Sequence, residues 1–347
     1  MATHPEIVAT PAAHHLPELL YDSHGRIITD LRVSITDRCN YKCVYCRTGQ
    51  VGAQYAELTT EDYLRLIRNF VSLGIEKVRL TGGEPLLRRD LLQIIHELAT
   101  WRTPTGQPLD IAVTTNGHLL EDLAVPLKTA GLSRVTVSMD AVDQTTFERI
   151  TRIPGSFANV VRGIQAAQQA GFAPVKVNCV LLRGFNDDQI EGFADFARRE
   201  NLIVRFIEFM PLEEDRLWSP AMVVPLREIV DRIGKVHPLR PLTPNTPSET
   251  ARRYGFTDGV GEIGIIAPVT QAFCGACSRI RLTSDGKIRT CLFSHLEHDL
   301  HGLLRQGASD ENLREFIVCA TSQKEARHHI GEPGFLKPSR SMVHIGG

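Results

Sequence analysis

β-rich runs alternate with helical patterns between residues 31 and 209 of the chain. The predicted strands are Leu31–Ile35, Lys77–Leu80, Ile111–Thr115, Arg134–Met139, Val175–Leu181 and Ile203–Phe209. After the first strand, Thr60-Glu61-Asp62 predicts an N-cap with an acidic first turn, and apolar residues recur at helical spacing as far as Gly74. Repeated strand and helix units predict a parallel sheet with right-handed crossovers. Since these six units are fewer than the eight of a closed barrel, we expect an α/β fold, a partial TIM-type barrel with functional residues at the carboxyl ends of its strands.

Three cysteines, Cys39, Cys43 and Cys46, follow the first predicted strand at C-x3-C-x2-C spacing. Iron–sulfur clusters are normally held by four thiolates, so a three-cysteine set leaves one iron open to a ligand that is not protein. A zinc site is the main alternative, but the nearest histidines, His24 and His96, lie outside zinc-finger spacing. A disulfide would need a geometry that cysteines on a tight loop rarely offer. The spacing therefore favours a four-iron cluster with one open iron.

A second set of three cysteines, Cys274, Cys277 and Cys291, lies in the C-terminal part of the chain. The turn signal Ser284-Asp285-Gly286-Lys287 predicts a hairpin that brings Cys291 beside the other two. A zinc ribbon is the alternative, because C-x2-C pairs are common zinc elements. The lack of a fourth cysteine or a well-spaced histidine favours a second open iron–sulfur cluster. We therefore predict that this C-terminal region is an Fe–S-binding extension of the barrel.

Composition allows a large folded enzyme, with 347 residues, 42% of them hydrophobic and 23% charged, and a formal net charge of −1. Near-neutral charge argues against general nucleic-acid binding, and no apolar run is long enough for a membrane span. We expect a disordered arm over residues 1–22, a core domain over 23–240 and a C-terminal domain over 241–347, with the boundary in the proline-dense segment 239–248. Free cysteines in open-cluster spacings indicate a reducing, cytoplasmic location, and Cys179 and Cys319 are predicted to be buried.

One motif in the C-terminal part matches the signature of a different function. Residues 259–264 read G-x-G-x-x-G, the dinucleotide-binding fingerprint. That fingerprint must follow a strand and open a helix, whereas residues 263–266 are β-rich and Pro268 stops a helix. We therefore predict that the segment does not bind a dinucleotide.

The first cysteine set, with Tyr45 before its last cysteine, and the segment Leu80-Thr81-Gly82-Gly83-Glu84-Pro85 resemble the signatures of the radical S-adenosylmethionine (SAM) superfamily. Cys274 to Arg281 and the terminal Gly346-Gly347 further resemble one branch, the GTP 3′,8-cyclase (MoaA) family. The resemblance covers nearly the whole chain, and other matching segments are Asp30–Ser34, Thr114–Gly117, Val137–Asp140, Lys176–Asn178 and Arg205–Met210. After Cys46 this chain has Arg47-Thr48, where the family usually has a hydrophobic residue and proline.

The resemblance implies a role for each matching position. Cys39, Cys43 and Cys46 would hold a [4Fe-4S] cluster that binds SAM, and Cys274, Cys277 and Cys291 would hold a second one that anchors guanine. The positions that match SAM contacts are Tyr45, Gly83, Ser138 and Met210. The positions that match GTP contacts are Arg32, Arg79, Thr114, Lys176, Arg279, Ile280 through its backbone, and Arg281. Several cationic side chains are appropriate for a triphosphate.

The implied activity is that of a lyase-type radical SAM enzyme. It would convert GTP to (8S)-3′,8-cyclo-7,8-dihydroguanosine 5′-triphosphate, the first step of molybdenum cofactor biosynthesis. A one-electron reductant, transfer of the product to the next enzyme of that pathway and a possible homodimer are further family expectations. The alternatives are a radical SAM enzyme of a peptide-modifying branch and a non-catalytic Fe–S or zinc-binding module. The first would have a longer, more cysteine-rich C-terminal region, and the second would not need the glycine-rich motif.

Overall fold

The six predicted strands are confirmed. The computed structural model describes residues 19–46, 53–214 and 217–346. The strands are β1 (Asp30–Ser34), β2 (Lys77–Thr81), β3 (Asp110–Thr115), β4 (Arg134–Ser138), β5 (Lys176–Leu181) and β6 (Ile203–Glu208). The C-terminal part adds β7 (Leu239–Leu242), β8 (Arg252–Phe256), β9 (Glu262–Ile266), β10 (Arg279–Leu282), β11 (Lys287–Arg289) and β12 (His298–Asp299).

Helices connect the parallel strands. They are α1 (Thr60–Ser72), α2 (Leu91–Thr100), α3 (Leu120–Thr129), α4 (Gln144–Thr151), α5 (Ser156–Gln169), α6 (Ile190–Arg199), α7 (Leu226–Val236), α8 (Leu300–Arg305), α9 (Asp310–Ser322) and α10 (Met342–Ile345). The α1 N-cap is Thr59, one residue before the prediction, and its side chain accepts from the Asp62 amide at 3.1 Å. No helix in the described part of the chain is long and apolar enough to cross a membrane.

The strands of the described residues form one sheet with the order β12-β11-β10-β1-β2-β3-β4-β5-β6-β9-β8-β7. Strands β1 to β6 are parallel neighbours in chain order. The extension adds one further parallel strand on each side, because β10 pairs with β1 and β9 pairs with β6. Antiparallel strands follow at both edges, so the sheet stays open. The expected partial barrel is thus confirmed, and its wall includes strands of the C-terminal extension.

Large apolar side chains fill the layer between the helices and the outer face of the sheet. Phe193 of α6 meets Phe206 of β6 edge to face, with ring centroids 5.8 Å apart. Tyr63 and Phe70 of α1 are fully buried in the same continuous core. Burial of this outer face leaves the inward-facing side chains of the strands free to line a cavity.

The predicted domain limits fall within continuous structure. Strand β7 crosses position 240, and the strands on either side of that position belong to one sheet. The boundary stays a prediction. Residues 1–18 of the predicted arm lie outside the described residues, but Leu20, near its end, is fully buried. The packed part of the chain therefore includes residues that we assigned to the arm.

Two smaller sequence expectations have clear outcomes. Residues 262–266 of the G-x-G-x-x-G segment form strand β9 with no helix after it, as predicted. Cys179 is buried, but Cys319 is exposed on α9, so its predicted burial is wrong. Cys319 lies among apolar residues in sequence, yet α9 turns that position toward solvent.

Glu208, at the end of β6, ties the barrel to the segment that leads to the second cysteine set. Its fully buried carboxylate accepts from the amides of Val269 and Thr270, each at 2.9 Å, and from the Leu226 amide at 3.2 Å. The Thr270 hydroxyl also donates to it. One carboxylate thereby orients both the start of α7 and the turn after β9.

Replacing Glu208 with Ala should lower the free energy of unfolding by about 3 kcal/mol, because several amides lose a charged acceptor. Urea unfolding followed by circular dichroism measures the change. Asp258→Ala, which removes an exposed ion pair with Arg198, should lower the free energy of unfolding far less, because exposed ion pairs contribute little to stability. Equal effects of the two substitutions would contradict this account of Glu208.

Candidate active site

The first cysteine set lies on the loop after β1, against the glycine-rich turn after β2. The Gly83 amide donates to the Thr36 carbonyl at 2.8 Å, and the Glu84 amide donates to the Arg38 carbonyl at 2.7 Å. A Cβ on Gly82 would lie 2.1 Å from the Thr36 oxygen, and one on Gly83 would lie 2.2 Å from the Arg38 oxygen. The two glycines therefore let the cysteine loop pack directly on this turn.

The Glu84 side chain fixes the conformation of the glycine-rich turn after β2. Its fully buried carboxylate accepts from the Leu86 amide at 2.9 Å, and from the Thr115 hydroxyl and the Asn116 amide at 2.7 Å each. Burial raises the pKa of Glu84 to about 7, against the lowering effect of these donors. The ends of β2 and β3 are thereby held together beside the first cysteine set.

Tyr45 is held by a buried carboxylate. Its hydroxyl donates to Asp140 at 2.7 Å, and the second carboxylate oxygen of Asp140 accepts from the Val180 amide at 2.8 Å. Burial raises the pKa of Asp140 to about 6. Burial, with the Asp140 charge and the neighbouring thiols, also raises the pKa of Cys43 well above its usual value. A cation such as iron would favour the thiolate at this position.

The second cysteine set lies at the other end of the barrel. Cys277 precedes β10, which is parallel to β1, so it sits at the amino ends of the strands, whereas Cys39 follows β1. Antiparallel β11 returns along β10 and delivers Cys291 to the same end, which confirms the predicted hairpin. Burial would raise the pKa of Cys277, but the Arg279 and Lys324 charges outweigh it and lower that pKa to about 7. The expectation that the motifs collect at the carboxyl ends therefore holds only for the first set.

A cavity of about 360 Å³ joins the two ends through the inside of the barrel. All six cysteines line it. Of the other predicted site residues, those that line it are Arg32, Tyr45, Arg79, Gly83, Thr114, Ser138, Met210, Arg279 and Arg281. Lys176 and Ile280 do not line it. The Ile280 side chain is fully buried in the core between the two cavity-facing arginines, which agrees with an expectation that concerned only its backbone.

Three arginines stand side by side on neighbouring strands at mid-height in the barrel. The register pairs Arg281 of β10 with Arg32 of β1, and Arg32 with Arg79 of β2. Desolvation lowers the pKa of Arg32 to about 10, with contributions from the Arg279 and Arg79 charges and opposition from Asp30. Desolvation, together with the Arg32 and Arg279 charges, lowers the pKa of Arg281 well below its usual value. Such crowding of cations suits a multiply charged anion.

The far wall of the cavity continues this positive surface. Arg79 donates to the Thr114 hydroxyl at 3.2 Å, and Arg205 donates to the Asn178 side chain at 2.9 Å. Desolvation and the Arg79 charge lower the pKa of Arg205 to about 9. Lys176, at the start of β5, has a pKa lowered to about 8 by burial and by Arg205, so it lies near the cavity without lining it.

Two buried donors on arginines that line the cavity make no hydrogen bond within the described residues. They are the Nε atoms of Arg32 and Arg279. Leaving a buried charged donor without an acceptor is costly. A phosphate or another polyanion would supply acceptors for both.

The arrangement of possible metal ligands also bears on the zinc alternative raised by the sequence. Among the described residues, no three His, Cys, Asp or Glu side chains converge closely enough to hold a single metal ion. A cluster does not require such convergence, because each thiolate binds a different iron. Three half-buried thiols at each end are compatible with an iron–sulfur cluster.

The C-terminal tail enters the cavity region. Arg281 donates to the carbonyl of Gly346, and the short helix α10 places Met342 and Val343 in the cavity wall. A Cβ on Gly346 would lie 2.3 Å from the Thr81 hydroxyl oxygen, so only glycine fits at this position. Gly347, like Arg47 and Thr48, lies outside the described residues.

Comparison with known proteins agrees with this geometry. Residues 33–197 match the radical SAM superfamily model, and residues 202–330 match the model described as Molybdenum Cofactor Synthesis C. The GTP 3′,8-cyclase of Acidothermus cellulolyticus is 43% identical over 318 residues, which cover 88% of this chain and 87% of that protein. The GTP 3′,8-cyclase of Syntrophomonas wolfei is 41% identical over 331 residues, covering 94% of this chain and 100% of that protein. The mitochondrial GTP 3′,8-cyclase of Arabidopsis thaliana is 38% identical over 335 residues, covering 95% and 84%.

This chain belongs to the GTP 3′,8-cyclase family. A solved structure of low sequence identity has a similar fold. Streptococcus suis SuiB superposes with a TM-score of 0.59 at 13% identity, over 87% of this chain and 68% of that one. At that identity the likeness concerns the fold alone.

Sequence reasoning missed several residues that line the cavity of this GTP 3′,8-cyclase family member. They are Asp30, Asp140, Asn178, Arg205, Lys324 and His328. Arg205 and Asn178 could have been found, because both lie in segments that carry the family resemblance. Asp140 follows Ser138 in a matching segment. Lys324 and His328 follow α9, and no local pattern indicates that this segment returns to the second cysteine set.

Gly83→Ala should destabilise the protein by about 1–3 kcal/mol, because the new Cβ collides with the backbone of the cysteine loop. We also expect loss of iron from the first cysteine set. Chemical unfolding and iron analysis after anaerobic reconstitution measure the two effects.

Gly234 provides the matched control for this substitution. It lies in α7 without a positive φ, and nothing lies within 4 Å of a Cβ placed there. Gly234→Ala should be neutral or stabilising by up to about 1 kcal/mol. Equal stability and iron content in the two variants would contradict the packing role of Gly83.

Proposed function

We propose that this protein is a GTP 3′,8-cyclase that converts GTP to (8S)-3′,8-cyclo-7,8-dihydroguanosine 5′-triphosphate. The observation that carries the proposal is the single cavity, which joins a three-cysteine loop at one end to a row of buried arginines and a second three-cysteine set at the other. The curated relatives bear the same activity in their names. The radical SAM family match supports SAM and an iron–sulfur cluster as cofactors. The step belongs to molybdenum cofactor biosynthesis.

At the carboxyl end, Cys39, Cys43 and Cys46 would hold the [4Fe-4S] cluster that binds SAM. Tyr45, Gly83, Ser138 and Met210 line the adjoining cavity wall and are the proposed SAM contacts. A cluster held by these three cysteines would supply the one-electron reduction of SAM. The Tyr45–Asp140 bond and the Glu84 carboxylate hold the loop and the turn that form this binding surface.

At the amino end, Cys274, Cys277 and Cys291 would hold a second [4Fe-4S] cluster, which would supply an open iron to anchor guanine. Three cysteines, again without a fourth, support a site that takes part of its coordination from the substrate. Lys324 lies against this set and donates to the Thr290 carbonyl beside Cys291. The count of two clusters is part of the proposal.

Between the two ends, the cationic wall would bind the triphosphate. The proposed contacts are Arg32, Arg79, Thr114, Lys176, Arg279, the Ile280 backbone and Arg281. Guanidinium groups form paired, charge-assisted hydrogen bonds to phosphate oxygens, which would satisfy the free Nε atoms of Arg32 and Arg279. Fixing both ends of GTP within one channel would hold the ribose at a defined place. Such positioning is the main contribution that a protein makes to radical chemistry.

The wider context follows from family membership. We propose a one-electron reductant as a partner, transfer of the product to the next enzyme of the pathway, a cytoplasmic location and a possible homodimer. A core domain ending near residue 240 and a C-terminal domain beyond it also remain proposals.

A peptide-modifying radical SAM enzyme is the nearest competing function. A peptide substrate would not require several arginines crowded in a desolvated wall, because backbone amides carry no net charge. The lowered pKa values of Arg32 and Arg205 therefore favour a polyanionic substrate.

The reconstituted protein should form 5′-deoxyadenosine and consume GTP together when it is incubated anaerobically with SAM, dithionite and GTP. Chromatography of both compounds over time measures the coupling. Omission of dithionite should stop both changes. Deoxyadenosine formation with GTP unchanged would return the substrate to the peptide-modifying alternative.

Cys39→Ala should abolish SAM cleavage, because the first cluster loses a thiolate. Arg281→Ala should leave slow SAM cleavage intact but lower kcat/KM for GTP by about 10- to 100-fold, as expected for a lost hydrogen bond to a charged group. Arg183→Ala, which removes a half-exposed pair with Glu228, serves as the control and should change neither. An equal loss of SAM cleavage in the Cys39 and Arg281 variants would contradict this division of roles.

A further inference from the structure

The Arg26 guanidinium joins two distant segments beside the second cysteine set. Arg26 lies on the N-terminal segment before β1 and is buried. Its Nη1 donates to the carbonyls of Cys274 and Ala326, each at 2.8 Å, and its Nη2 donates to the carbonyl of Glu325 at 2.6 Å. One side chain thus contacts a cysteine of the second set and the segment that carries Lys324.

A buried carboxylate fixes the orientation of Arg26. The Nε donates to Asp22 at 2.5 Å, and the other Asp22 oxygen accepts from the amides of Arg26 and His24 at 3.0 and 2.9 Å. The Asp22 side chain is fully shielded from solvent. Asp22 therefore balances the charge and holds the guanidinium plane against the three carbonyls.

The segment 324–326 is bound on its other side to the residue before Cys291. Lys324 donates to the Thr290 carbonyl, and the Glu325 carboxylate accepts from the Thr290 hydroxyl at 2.8 Å. A continuous chain of hydrogen bonds therefore runs from Cys274 through Arg26 and segment 324–326 to Thr290. This chain connects the two strand ends that carry the second cysteine set, independently of the β10–β11 hairpin.

We propose that Arg26 is a positioning residue of the second cluster, which sets the spacing of Cys274 and Cys291 through segment 324–326. The inference rests on the proposed function, because it requires that the second cysteine set holds a cluster. Arginine is needed, since its rigid fork reaches three carbonyls and the Asp22 carboxylate at once, whereas a lysine ammonium provides one donor centre. Residues that orient metal ligands in this way govern how firmly the metal is held.

The test isolates the second cluster. In a full-length variant with Cys39, Cys43 and Cys46 replaced by Ala, only the second set remains, and Arg26→Lys is added to this background. After reconstitution with iron and sulfide, we measure the rate of iron loss to a chelator and the EPR spectrum of the reduced cluster. Arg26→Lys should speed iron loss by about 10-fold and change the spectrum.

Two controls separate positioning from general stability. Arg232 also donates to a backbone carbonyl, that of Asp187 at 2.6 Å, and pairs with Glu191, but it lies on α7. Arg232→Lys should leave iron loss and spectrum unchanged. In the reciprocal background, with Cys274, Cys277 and Cys291 replaced by Ala, Arg26→Lys should not affect iron held by the first set.

Unchanged iron loss and spectrum in the Arg26→Lys variant would overturn the proposal, and so would an equal increase at both cysteine sets. If that variant does not fold, Asp22→Asn replaces it, with a smaller change in the same direction expected and no change overturning the proposal. A parent variant that retains no iron on the second set would instead overturn the second-cluster assignment itself.

Discussion

The parallel pairing of β10 with β1 is the constraint on which the rest of the site depends. This pairing sets Arg281 beside Arg32, and through β2 it extends the row to Arg79. It also fixes the direction of β10, so that Cys277 lies at the amino end while Cys39 lies at the carboxyl end. A hairpin pairing in the opposite direction would place both cysteine sets at one end and leave no channel between them. The two-ended cavity is therefore a result of strand direction.

The same pairing concentrates positive charge in a region with little water. Desolvation and mutual repulsion lower the pKa values of Arg32, Arg205 and Arg281, so these side chains destabilise the free protein relative to the same residues in water. A bound polyanion would make the electrostatic contribution of these arginines favourable. In the proposed complex, repulsion among these arginines would be relieved by a bound triphosphate, as expected when a binding site is assembled before its ligand arrives.

The sequence was sufficient for the elements with strong local signals. Strands β1 to β6, the Ser284–Lys287 turn and the cysteine spacings all lie within short segments, where periodicity and turn residues report the local structure. The end of the barrel at which the second set lies depends on β10 pairing with a strand nearly 250 residues away in the chain. No local pattern encodes that contact. Lys324, His328 and Arg26 were missed for the same reason, because each reaches the site only through tertiary packing.

Both ends of the described chain contact residues that line the cavity. Arg26, in the N-terminal segment, binds the Cys274 carbonyl, and Gly346, in the tail, accepts from Arg281 between Ser34 and Thr81. Neither segment contributes a strand to the parallel wall, so side-chain and backbone contacts outside the sheet hold each one in place. Loosening the N-terminal segment would affect the second cysteine set. Loosening the C-terminal tail would release Arg281 of the cationic row from the Gly346 carbonyl. The geometry of the site is therefore more sensitive than the fold to changes at the ends of the chain.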